Sequence, residues 1–114
     1  MTAPVYTQLV LDLHQLAAER SLAFHRVIAA RLLRDPAILE KARGRVSTWM
    51  AQMPNRPFVK EWAKILAGDA KSVAALLVEK SEKAVELRQS SPFAGALNAR
   101  ERWSIWRETK LSQS

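Results

Sequence analysis

Residues 24–46 read FHRVIAARLLRDPAILEKARGRV, and the Asp35-Pro36 pair at the centre decides the fold. On its N-terminal side Phe24, Ile28 and Leu32 recur at intervals of four, and on its C-terminal side Ile38, Leu39, Ala42 and Val46 do so at three and four. Both are the period of a helix with one apolar face. Between them, the Asp35 carboxylate can accept hydrogen bonds from the free amides of a first turn, while Pro36 has no amide to leave unsatisfied there. The pair therefore ends one helix and starts another, with no strand between.

Working outward, Tyr6, Val10, Leu13 and Ala17 extend the first stripe toward the N-terminus, and Gln8, Asp12, Gln15, Glu19 and Arg26 fall largely opposite. With Thr2 as cap and Pro4 in the first turn, this predicts a helix of about 30 residues, on the order of 45 Å long, with room for a break near Ser21. On the other side Trp49, Met50 and Met53 prolong the second stripe, and Gly44 weakens that helix without ending it. The Pro54-Asn55-Arg56-Pro57 segment is a loop, because two prolines bracket a polar pair.

A third helix is expected from Phe58 to about Ala67, burying Phe58, Trp62, Ile65 and Leu66 and stopping at Gly68. A fourth starts at Asp69 and turns Val73, Leu76, Leu77, Ala84 and Leu87 inward, with Glu79 and Lys83 as an i,i+4 pair on its surface. It must stop at Ser90-Ser91-Pro92, since the residue before proline is biased away from the helical region. Asn98 and Glu101 have the spacing of a capping box and open a last helix, Ala99 to Lys110. Strand signals are nearly absent. The chain reads as all-α, a single-domain bundle of about five helices over residues 1–114. Its expected core includes Leu13, Phe24, Ile28, Leu39, Val46, Trp49, Trp62, Ile65, Leu77 and Leu87.

Composition agrees with one packed domain: 114 residues, 48% apolar and 25% charged, which is globular and not disordered. The absence of cysteine excludes thiol nucleophiles, disulfides and cysteine-based zinc sites. The N-terminal MTAPVYTQLVLDLHQ is not patterned as a secretory signal. His25, Arg26 and Arg31 interrupt the best apolar run before it reaches the roughly 18 residues needed to span a bilayer. The expected location is cytoplasmic. Eighteen Lys and Arg against eleven Asp and Glu give a formal charge of +7, which favours an acidic partner: nucleic acid, a membrane surface or an acidic protein face. The excess is spread along the chain, a weaker nucleic-acid signal than a basic block.

Catalytic patterns fail one by one. His14 and His25 lie about 16 Å apart along a helix and cannot share a metal ion. Ser21 and His25 are i,i+4 neighbours, as a nucleophile and its base would be, yet no orienting carboxylate and no oxyanion loop accompany them; two partly buried polar residues at a helix contact are the plainer reading. There is no Gly-rich phosphate cradle, HExxH motif, carboxylate pair or calcium loop. No catalytic residue, cofactor or metal is expected, and the chain reads as a non-enzyme. As a helix-turn-helix, Ala63 to Leu77 would present a second helix with only Lys71 basic, a core-facing and not a base-reading element.

The segment LRQSSPFAGALNARERWSIWR, Leu87 to Arg107, stands apart. Trp103 and Trp106 are separated by about 60° around the last helix, with Arg100, Arg102 and Arg107 beside them. They either plug the bundle or form a binding face, tryptophan and arginine being enriched at interface hot spots. On the second reading Phe93 on the constrained turn, Arg102, Trp106 and Arg107 contact a protein partner, while Trp103 anchors the helix.

The same segment resembles a group of small bacterial proteins that end in a run like LRQSSPFAG followed by ERW; the matching residues are Leu87 to Gly95 and Glu101-Arg102-Trp103. The upstream LAFHRVIAARLLRDPAILEKAR is similar in arrangement. The resemblance implies the small partner of a two-gene toxin–antitoxin unit, which binds and masks its neighbour, and brings no catalytic pattern with it. The expected function is a protein-binding, antitoxin-like inhibitor. The alternative is a basic nucleic-acid-binding protein or autoregulator, and a small enzyme comes third.

Overall fold

The computed structural model describes residues 5–109; the cap assigned to Thr2 and Pro4, and Lys110 at the end of the last helix, lie outside the described residues. Within them the chain is all-helical: α1 (Val5–Leu32), α2 (Pro36–Gln52), α3 (Pro57–Leu66), α4 (Ala70–Leu77), α5 (Glu82–Arg88) and α6 (Ala99–Glu108), with one 3-10 turn over Ala94–Ala96 before α6. The Asp35 side chain accepts from the Ala37 amide at 3.1 Å, so the first break falls where the Asp-Pro pair puts it. Helix α1 runs through Ser21 without interruption, and α2 runs through Gly44.

The fourth predicted helix is two. Helix α4 starts from Asp69, whose carboxylate accepts from the Ser72 amide at 2.8 Å, and stops at Leu77. Helix α5 then starts afresh from Ser81, whose hydroxyl accepts from the Ala84 amide at 3.1 Å. Arg88 fixes the break: its Nη1 donates to the carbonyls of Leu77 and Glu79 at 3.3 and 2.6 Å, which a continuous helix would have used internally. Glu79 and Lys83 consequently share no helix, and Lys83 pairs instead with Glu61 of α3 at 2.8 Å.

The core sits where the C-terminal half of α1 meets α4 and where α2 meets α3. Trp62, Leu32, Leu77, Val59 and Val73 are its largest fully buried side chains. Of the expected core, Ile28, Leu39, Val46, Trp62, Leu77 and Leu87 are buried, and Phe24, Trp49 and Ile65 pack against them half-buried. Leu13 is not core: it is 54% exposed, together with Leu9 and Leu11. The reason is length. A 28-residue helix spans about 42 Å, most of the 48 Å long axis of the molecule, and its first turns carry the apolar stripe past the helices that could cover it.

Helix α6 opens on the expected capping box, with the Glu101 amide donating to Asn98 Oδ1 at 2.8 Å and the Asn98 amide to Glu101 Oε1 at 3.1 Å. Asn98→Ala should destabilise the fold by about 1 kcal/mol, measured as a shift in urea midpoint at unchanged slope; no shift would mean that α6 is held by its tertiary contacts alone.

Candidate functional site

Helix α6 is fastened to α1 at three points. Ile105 packs against the core, Arg31 pairs with Glu101, and Arg20 Nε donates to the Trp106 carbonyl at 3.3 Å. The Arg20 guanidinium also lies 3.5 Å from the centre of the Trp106 ring. Trp106 and Trp103 stack, with centroids 5.1 Å apart and planes 13° from parallel, and Arg107 stands 6.0 Å over Trp103. This Arg-Trp-Trp-Arg ladder faces solvent: Trp103 is 56% exposed and Trp106 40%.

Two sequence expectations are corrected here. Trp103 does not anchor α6, because it is the more exposed of the two rings; the anchor is Ile105 with the two arginine contacts from α1. Phe93 is not presented on the turn, because it is 2% exposed and packs edge-on to Trp62 with centroids 6.2 Å apart. Arg102 and Arg107 are exposed beside the tryptophans.

Between α1, the Gln89–Leu97 turn and α6 runs a groove of about 480 Å³. Leu13, Leu16 and Phe24 form one wall, Leu97 and Trp106 the other, and Ile28 and Phe93 the floor. A shallower hollow between Phe24, Ala99, Arg102, Trp103 and Trp106 continues it over the stacked rings. Arg20, Arg88 and Arg102 line the groove, and among the described residues its lining contains no aspartate or glutamate. The exposed start of the α1 stripe and the exposed tryptophans thus belong to one surface, apolar in body and cationic in charge.

His25, 5% exposed, closes the inner end. Its Nδ1 lies 2.7 Å from the Ser21 carbonyl, which can only accept, so Nδ1 carries the proton and Nε2 is the acceptor. The hydroxyl of Ser91, 2.8 Å away, donates to Nε2 and accepts from the Phe93 amide at 3.1 Å. The i,i+4 neighbour therefore contributes its backbone, and the hydroxyl partner comes from 66 positions downstream. What this pair does visibly is pin the turn to α1.

Burial holds the His25 imidazole below its usual pKa, and the nearby Arg88 charge acts the same way against the raising effect of the Ser21 carbonyl. A histidine whose folded pKa lies below the unfolded value of about 6.5 is protonated first in the unfolded chain. Stability is therefore full above that pH and falls as pH drops from it toward the folded pKa, by at most about 1.4 kcal/mol per pH unit. Denaturant midpoints measured from pH 7.5 down to 5 should show this slope, and His25→Gln should remove it; a slope that survives the substitution would place its origin elsewhere.

No family model, curated protein or solved structure matches the chain. Of the residues expected at a partner contact, Trp106, Arg102 and Phe93 line the groove and Arg107 stands over Trp103; Leu16, Arg20, Arg88 and Ser91 line it as well and carried no such expectation. Arg20 was within reach, since it lies four residues before Phe24 on the same stripe; Arg88 and Ser91 join the site only through the tertiary fold. No described helix is long and apolar enough to cross a membrane.

Proposed function

We propose that the chain is a non-catalytic protein-binding module, antitoxin-like, whose groove between α1 and α6 takes an apolar, acidic segment of a partner protein encoded beside it and masks that partner in the cytoplasm. The observation that carries this is the exposed Trp103–Trp106 stack at the rim of an apolar groove lined by three arginines and, among the described residues, no acid. Large aromatic surface left in water is unusual away from contact sites, and tryptophan and arginine dominate interface energetics. The resemblance of the Leu87 to Trp103 segment to small partners of toxin–antitoxin units points to the same class.

The two competing readings have less support. Stacking on nucleobases needs open ring faces, whereas Trp106 already has Arg20 and Trp103 against it. Hydrolytic chemistry needs a positioned base and oxyanion donors; His25 is oriented by a carbonyl, and the Phe93 amide beside it is already bonded to the Ser91 hydroxyl. Co-expression with the neighbouring gene product tests the proposal. A stoichiometric complex that persists in moderate salt is expected, whereas affinity for DNA or RNA that collapses steeply with salt, with no protein complex, would replace it by the nucleic-acid reading.

A further inference from the structure

We infer that the inner end of the groove is a carboxylate site built on Arg88, so that the partner segment carries an aspartate or glutamate whose neighbours are apolar. This rests on the docking reading above and adds the chemistry of recognition to it. Arg88 is 4% exposed and lines the groove beside His25, Gln89 and Ser91. Its Nη1 is occupied by the Leu77 and Glu79 carbonyls, but its Nε, though buried, has no hydrogen-bond partner. Among the described residues no carboxylate forms an ion pair with it; Glu79 bonds it through the backbone carbonyl, and the Glu79 charge acts on it from beyond ion-pair distance. A buried guanidinium with no carboxylate in direct contact gains from a ligand that supplies one. Nε is itself covered, so a carboxylate has to displace what covers it to meet Nε and the amino group on its side with two parallel hydrogen bonds. His25 is held neutral beside it and cannot take that role. Phe24 and Ile28, which flank His25 on α1, would pack the aliphatic arm that bears the acid.

Octanoate is a suitable probe, an aliphatic arm ending in a carboxylate, with octan-1-ol as its neutral counterpart. Calorimetric titration of the intact wild-type chain at pH 7.5 and low salt should show octanoate binding at least about tenfold more tightly than the alcohol, as a charge-assisted fork requires. In Arg88→Met the advantage should fall to about twofold or less. If that variant does not fold, because Nη1 also holds the α4–α5 break, Arg20→Gln and Arg102→Gln decide: each should keep the advantage, and its loss in either would place the carboxylate on that arginine and overturn the Arg88 site. Equal binding of acid and alcohol, or saturable binding of neither, overturns the carboxylate site; if the partner complex forms all the same, the docking reading stands without it. A submicromolar dissociation constant for octanoate would overturn the protein source in favour of a small free acid.

Discussion

Replacing Phe93 with alanine is expected to lower the free energy of unfolding by about 3–5 kcal/mol, the largest effect of any single substitution in the Gln89–Leu97 turn. The ring is 2% exposed and sits edge-on to Trp62, itself 1% exposed. Truncation therefore removes buried apolar area, leaves a cavity next to the largest core side chain, and loses an aromatic pair worth about 0.5–1.5 kcal/mol beyond burial. The turn follows its side chain. The Phe93 amide holds the Ser91 hydroxyl, which holds His25, so a displaced Phe93 also loosens the one polar tie between the turn and α1 at this point. Phe93→Leu refills most of the space and should cost less than the alanine variant. Urea denaturation followed by circular dichroism measures both. A loss under about 1 kcal/mol for the alanine variant, the range of an ordinary surface or partly exposed site, would mean that the turn is not docked as described. Since Phe93 acts through the fold, any binding defect in Phe93→Ala should disappear when folded fractions are matched.

Why some of this was legible in the sequence and some was not follows from where each signal resides. Asp35-Pro36 and the Asn98/Glu101 box are local chemistry: the cap, the missing amide and the reciprocal hydrogen bonds all involve residues within a turn of one another, so spacing suffices. The α4–α5 break is also capped locally, by Ser81, but the Leu77 and Glu79 carbonyls that it frees are taken up by Arg88, a contact that helical spacing does not announce. Periodicity placed Leu13 correctly on a stripe with Phe24. What it could not supply was the length of the neighbouring helices, which decides whether the stripe is covered. Phe93 read as exposed because it follows Ser-Ser-Pro, where chains usually turn outward; the bond from Ser91 to a histidine far upstream reverses that. The groove divides in the same way, with its tryptophans and Arg102 visible as a clustered pattern and Arg88 and Ser91 visible only once two distant segments meet.

Truncating either exposed tryptophan is expected to weaken the complex with the partner by about 2 kcal/mol or more, roughly a thirtyfold loss of affinity. The two variants should differ in what else they lose. Trp103 is 56% exposed and its described ring contacts are with Trp106 and Arg107, so Trp103→Ala should leave stability within about 0.5 kcal/mol of wild type. Trp106 also carries the Arg20 guanidinium, a contact worth about 0.5–1 kcal/mol at an exposed site, so Trp106→Ala should be slightly less stable. It should leave Arg20 held to α6 only by its bond to the backbone carbonyl of residue 106. Because the rings stack on each other, each truncation disturbs the other's position. The double variant should therefore lose less binding energy than the sum of the two single losses, as contacting residues do. Thermal stability and affinity for the neighbouring gene product, measured on the same four proteins, separate the alternatives. Wild-type affinity in the double variant would show the ladder to be a passive cover on α1, and unfolding in both single variants would show it to be a structural plug. A stable Trp103→Ala with lost affinity is the outcome that a binding face requires, and neither of the other roles produces it.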